Sequence, residues 1–259
     1  MANSIRASVF FDIDETLCYH GEDPTKAVME ALERLKANGH RFFYCTARTV
    51  STIPPCLVEL EPDGVVSAAG SRVLAGNRII YDRSISYRQI RPLVEKLLES
   101  KIPFMFETQK DSYRLNQFPL FEEGSFYLND LREFDALGPD IAVSKMAFLT
   151  KKLFAQKEMQ AQVRRLFELI VYSNGYCEAI LSDVSKGLGI RMIMDFLDLP
   201  WSNSYAIGDN RYDQTMFSCV ETGIAMGNGD PELKAAADYV TGTVQEDGVV
   251  QALKHFSLI

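Results

Sequence analysis

The apolar run Val9-Phe10-Phe11 leads directly into Asp12-Ile13-Asp14-Glu15-Thr16-Leu17. Ala7–Phe11 reads as a buried strand, and open parallel sheets bind their ligands at the carboxyl ends of strands. Two carboxylates one residue apart at such a point can divide the work of a displacement at phosphorus. One attacks, while the other protonates the leaving oxygen and later activates water. Crowded anions there also favour a hard divalent cation, and magnesium suits carboxylates combined with phosphate oxygens. Taken alone, the same residues also fit a polar turn that caps a strand.

Three further signals follow in chain order. Thr46, in Cys45-Thr46-Ala47-Arg48, stands after a second apolar run, where a hydroxyl and free amides can hold a phosphate oxygen; a plain helix cap is the other reading. Lys186, in Asp183-Val184-Ser185-Lys186-Gly187, precedes a helical pattern and can neutralise both an attacking carboxylate and the phosphoryl group. Asp209 closes the run Ala206-Ile207-Gly208-Asp209, with Asp213 four residues on. Asp209 can complete a cation site. Asp213 can stand behind it, holding Lys186 or a metal-bound water.

These residues need a scaffold of strands that end at one edge. Ala7–Phe11, Arg41–Thr46 and Gly64–Ala68 read as strands. A helix capped by Asp23, with Pro24 at its first position, carries Val28, Leu32 and Leu35 and stops at Asn38-Gly39; Pro55 opens another. Arg72–Leu74 and Arg78–Tyr81 flank Gly76-Asn77 as a hairpin. After Asp183 the alternation returns with a helix over Gly187–Leu199, strands at Ser204–Ile207, Gly223–Ala225 and Tyr239–Val240, and a last helix over Val249–Phe256. Strands alternating with helices imply parallel β-α-β units.

The middle differs. Ile90, Leu93, Leu97 and Leu98 form a helical stripe, and Ile102–Glu107, Tyr113–Asn116, Ile141–Leu149 and Cys177–Leu181 read as strands. Phe118–Asp140 is loose, and Met159, Val163, Leu166 and Ile170 repeat at helical spacing. The expected fold is therefore α/β: a doubly wound, Rossmann-like parallel-sheet core of residues 1–84 and 183–259, interrupted by an α+β cap domain of residues 85–182. In the cap, Phe104, Phe106, Tyr113, Phe118, Phe121, Phe126 and Tyr127 are expected mostly to pack. Arg114 and Lys145 are expected on solvated surface and His20 in a loop.

Composition narrows the class. The 259 residues are 47% hydrophobic and 24% charged, ordinary for a globular protein, and the net charge of -8 argues against nucleic acid or an anionic membrane surface as partner. Five scattered cysteines without a C-x-x-C pair read as reduced thiols, with neither a disulfide framework nor a zinc site. Neither a membrane span nor the apolar core of a signal peptide is visible, so the cytoplasm is the expected location.

Asp12-Ile13-Asp14-Glu15-Thr16, Thr46-Ala47-Arg48, Lys186-Gly187, Gly208-Asp209-Asn210-Arg211-Tyr212-Asp213 and Gly223-Ile224-Ala225-Met226-Gly227-Asn228 together resemble the haloacid dehalogenase-like (HAD) superfamily. Within it they resemble the Cof-type phosphatases with a type IIB α/β cap. The resemblance implies a magnesium-dependent phosphatase acting on a small phosphorylated metabolite, a sugar phosphate or similar. It implies that Asp12 forms an aspartyl-phosphate, that Asp14 is general acid and then base, and that Thr46 and Lys186 hold the phosphate. Magnesium would bind the Asp12 carboxylate, the Asp14 carbonyl and Asp209. Three positions depart from the family pattern: Glu15 stands for Gly, Tyr212 for Asn, and Ala69 for Asn. A phosphomutase or phosphotransferase, and a non-catalytic phospho-ligand binding protein, remain the alternatives.

Overall fold

A computed structural model describes residues 6–119, 124–172 and 175–259. The fold is mixed α/β, as expected from the alternating pattern. Among the described residues, those within 1–48, 52–82 and 185–259 form one compact unit, and those within 49–51 and 83–184 form a second.

The first unit is built on an eight-stranded sheet. Its order runs Tyr239–Val240, Thr222–Ala225, Ser204–Gly208, Ser8–Phe11, Arg41–Cys45, Gly64–Ser67, Arg72–Ala75, Arg78–Asp82. The first six are mutually parallel and the last two add antiparallel. Parallel strands are covered on both faces, so their residues are apolar on both sides. Val9, Phe11, Phe42 and Tyr44 enter one core with the helices Lys26–Ala37 and Gly248–His255. Phe10, Phe43, Cys45 and Val66 enter the other with the helix Lys186–Leu197. The Phe10 and Phe43 rings stack at 4.6 Å, which pins the register of the two central strands. The first helix is capped by Thr25, whose hydroxyl accepts from Val28 N, and not by Asp23. Thr25 is itself extended, at φ -61 and ψ 155, so the helix begins only after it.

The second unit carries a six-stranded sheet in the order Phe167–Val171, Tyr176–Leu181, Lys145–Leu149, Phe104–Glu107, Ser112–Leu115, Phe126–Tyr127, antiparallel except for the last pair. Phe104, Phe106 and Phe118 are buried and Tyr113 stacks on Phe106 at 5.0 Å, whereas Phe126 and Tyr127 are exposed; Phe121 lies outside the described residues. The helical reading of Met159 to Ile170 holds only as far as Val163. Phe167–Val171 is a strand paired with Tyr176–Leu181, because its β-branched and aromatic side chains fit a ladder once a partner strand is present. The loose stretch contains the helix Leu131–Ala136, capped by Asp130 accepting from Arg132 N and Glu133 N. Lys145 is not on solvated surface: it is 4% exposed and pairs with Glu107 at 3.2 Å and Glu178 at 2.7 Å. A buried ammonium needs such partners.

Candidate active site

The side chains singled out for chemistry lie in the first unit: Asp12, Asp14, Thr46, Asp209 and Asp213 follow its parallel strands at their carboxyl ends, and Lys186 opens a helix beside them. Asp12 directly follows Ser8–Phe11, and its N–H donates to the Ile207 carbonyl (2.9 Å), extending the ladder by one bond. That bond fixes the Asp12 backbone against the neighbouring strand before its chain turns away.

Lys186 is the first residue of the helix Lys186–Leu197, whose cap Ser185 accepts from Leu188 N. Its Nζ donates to Asp12 Oδ1 at 2.7 Å and to Asp213 Oδ1 at 2.6 Å. Asp213 Oδ2 accepts from the Asp209 and Asn210 amides at 3.1 and 3.0 Å. One buried carboxylate therefore holds both the lysine and the loop that carries Asp209. Gly208 makes this possible, since a Cβ there would sit 2.6 Å from Asp213 Oδ2.

Carboxylate oxygens of Asp12, Asp209 and Asp213 lie within 4.8 Å of one another. Two unit charges at that spacing repel by about 3.5 kcal/mol at an effective dielectric near 20, and three carboxylates face one lysine. Burial, only partly offset by Lys186 and reinforced by Asp213 and Asp14, pushes the Asp12 carboxyl up to about 7. Burial followed by Asp12 and Asp213 pushes Asp209 up to about 9. Burial pulls Lys186 down, but Asp12 and Asp213 outweigh it and hold the ammonium above its usual range. The lysine stays charged, and the rise at Asp12 and Asp209 reflects burial first and the neighbouring carboxylates second. An oxygen-only cluster with excess negative charge fits a hard divalent cation.

Asp14 is held apart from this group. Arg48 grips it in a fork, Nε to Oδ2 at 3.0 Å and Nη2 to Oδ1 at 2.8 Å, and Arg48 Nη1 donates to the Thr52 carbonyl at 2.6 Å. Thr46 is fully buried at the next strand end. Its hydroxyl accepts from Arg48 N (3.1 Å), its carbonyl accepts from Ala69 N (2.9 Å), and the preceding Cys45 thiol lies 3.9 Å from the Lys186 carbonyl. The cap-like hydroxyl bond is thus present at Thr46, and the contact with Lys186 is made by its neighbour Cys45.

The departures have visible consequences. Glu15 adopts φ 59 and its carboxylate meets His20 at N (3.0 Å) and Nδ1 (2.8 Å). Ala69 adopts φ 56. Tyr212 turns its ring under the Arg211 guanidinium, 5.1 Å from ring centroid to Cζ, while Asn210 Oδ1 accepts from Tyr212 N at 3.2 Å. Sequence reasoning gave Arg48 no role of its own, although it stands in a motif already marked. Its grip on Asp14 spans 34 residues, which no local pattern reveals.

The model for haloacid dehalogenase-like hydrolases matches residues 9–253. "Putative phosphatase YkrA" of Bacillus subtilis (strain 168) is 30% identical over 256 residues, covering 97% of this chain and 98% of that protein. A solved structure from Geobacillus kaustophilus HTA426 is similar with a TM-score of 0.84 at 26% identity, over 98% of this chain and 100% of that one. A HAD subclass IIB sugar phosphatase shares the fold with a TM-score of 0.78 at 24% identity, over 98% of this chain and 100% of its own. Among the described residues, no helix is long and apolar enough to cross a membrane.

Proposed function

The chain belongs to the haloacid dehalogenase-like hydrolase family, and from that premise we propose that it is a magnesium-dependent phosphatase acting on a small phosphorylated metabolite, a sugar phosphate or similar. The observation that carries the reading is Lys186 Nζ bridging Asp12 and Asp213 within the three-carboxylate group.

Asp12 attacks phosphorus and forms an aspartyl-phosphate as the ester oxygen leaves. Asp14 gives its proton to that oxygen, then takes one from the water that hydrolyses the intermediate, so the acid is regenerated each cycle. Lys186 offsets charge on the attacking carboxylate and on the phosphoryl oxygens, and Asp213 keeps the ammonium aimed. Thr46 contributes at the phosphate from the neighbouring strand end. Arg48 limits the orientations open to Asp14, so that its carboxyl is presented to the leaving oxygen from one direction. Asp12 and Asp209, with the Asp14 carbonyl, would hold magnesium, which supplies positive charge for the transferred group. Residues 1–84 and 183–259 act as the catalytic core and residues 85–182 as the cap in this scheme.

The test is turnover of p-nitrophenyl phosphate with magnesium by the protein and its Asp12→Asn variant. Equal rates in the two would refute the role of Asp12. Phosphate release with no acceptor alcohol present separates hydrolysis from transfer, and saturable metabolite binding without any release would leave only a binding protein.

A further inference from the structure

The segment Gly227–Asp230 touches three other loops of the first unit through bonds that are all to backbone. Asn228 Nδ2 donates to the Glu15 carbonyl at 2.8 Å, and its Oδ1 accepts from Val244 N at 2.9 Å. Asp230 N donates to the Asp209 carbonyl at 2.7 Å, while Asp230 Oδ2 accepts from Arg211 N at 2.9 Å. Gly229 lies so close to the Asp209 loop that a Cβ would stand 2.8 Å from the Asp209 carbonyl oxygen. Gly227 N donates to Gly242 O at 2.9 Å, and Lys234 Nζ returns to Gly227 O at 3.1 Å.

The turn this segment reaches is an unusual one. Glu15 sits at φ 59, a left-handed backbone that non-glycine residues rarely adopt, with its N–H donating to Cys18 O at 2.7 Å. It directly follows Asp14 and lies three residues after Asp12, so its conformation bears on the turn that carries Asp14 away from the strand end where Asp12 is bonded to the Ile207 carbonyl. Asn228 is solvent-exposed, yet both ends of its amide are committed to backbone partners far away in sequence. An exposed side chain spent in this way acts through what it restrains.

We propose that Gly227–Asp230 is a staple between the two carboxylate-bearing loops. Asn228 is the positioning residue for the Asp12–Asp14 turn, and Asp230 the positioning residue for the Asp209 loop. Neither residue touches the reacting groups; they set the spacing between those that do. The inference rests on the phosphatase reading for its kinetic consequence, while its structural consequence stands without it.

Asn228→Asp is the discriminating variant. It keeps the acceptor for Val244 N and replaces the donor to Glu15 O with a second acceptor, which repels that carbonyl. Asn228→Ala removes both bonds without adding charge. In the full chain, hydrogen–deuterium exchange of the peptide spanning Ile13–His20 is expected to quicken about tenfold in both variants, with Ser8–Phe11 unchanged. Turnover of p-nitrophenyl phosphate with magnesium is expected to fall about tenfold in kcat with KM within about twofold, because misplaced catalytic groups slow the chemical step more than binding. Combining either variant with Glu15→Gly, which frees the turn further, is expected to give a loss larger than the product of the two single losses. Unchanged exchange at Ile13–His20 overturns the proposal, as does a kinetic loss that multiplies independently with Glu15→Gly. Exchange is read without substrate, and wild-type turnover against Asp12→Asn is read in the same assay. A failure of the staple and a failure of the phosphatase reading are therefore told apart.

Discussion

Replacing Lys186 by methionine keeps the length and most of the volume of the side chain and removes its charge. The ammonium is held at 2.7 Å by Asp12 and 2.6 Å by Asp213, which are 5% and 0% exposed. Breaking a buried pair from one side costs about 3–5 kcal/mol, because the partners stay buried without compensation. That is a large share of the roughly 5–15 kcal/mol that holds a domain folded. The loss depends on pH. At pH 8 Asp12, at about 7 with the lysine present, carries charge that the lysine offsets, while Asp209, at about 9, still largely holds its proton. At pH 5 Asp12 and Asp209, whose carboxyls lie at about 7 and about 9 even with the lysine present, are protonated and the penalty shrinks. Urea unfolding of both proteins in EDTA at the two pH values measures this, with an unchanged m-value as the control that the unfolded state is comparable. Turnover of the aryl phosphate is expected to fall by about 10²–10³, the usual loss for one donor that stabilises the developing negative charge. A destabilisation below about 1 kcal/mol at pH 8, or one equal at both pH values, would refute the view that Lys186 balances the carboxylates.

Three further outcomes follow from the same geometry. Asp12 and Asp209 lie above the 3.8 of an ordinary aspartate, so between about pH 4 and pH 9 the folded metal-free protein holds protons that the unfolded chain has released. Its stability contribution from these groups therefore falls as pH rises through that window, and the gain in melting temperature on adding magnesium widens from pH 5.5 to pH 8.5; a constant gain would contradict this. Arg48→Ala releases the fork on Asp14 and is expected to lower kcat about 10- to 100-fold with little change in melting temperature, since the pair is partly solvent-exposed; steady-state kinetics with calorimetry reads both. Asp198 ends the helix Lys186–Leu197 in a left-handed conformation at φ 50, so Asp198→Gly is expected to stabilise the protein by about 0.5–1 kcal/mol in urea unfolding, and a loss would count against the capping argument.

Much of the first unit was legible because its signals are local. The strand Ser8–Phe11 announces itself by the apolar run Val9-Phe10-Phe11, and the helix Gly248–His255 by its spacing. The second unit was harder to read. Phe167–Val171 carries a pattern compatible with helix or strand, and the choice falls to the strand it pairs with. Lys145 looks like any surface lysine until Glu107 and Glu178 are brought to it from other strands.

The sequence by itself determined which residues were singled out for chemistry: Asp12 and Asp14 after one strand, Thr46, Lys186, Asp209 and Asp213 after later turns. Residue type and strand-end position are encoded within a few neighbours, so they survive without a fold. Only the tertiary structure decided how those residues are shared. Lys186 meets Asp12 across 174 residues and Asp213 across 27, Arg48 takes Asp14 for itself, and Asn228 reaches Glu15 across 213. Such pairings depend on which strands lie side by side, a property of the assembled sheet and not of any stretch of chain.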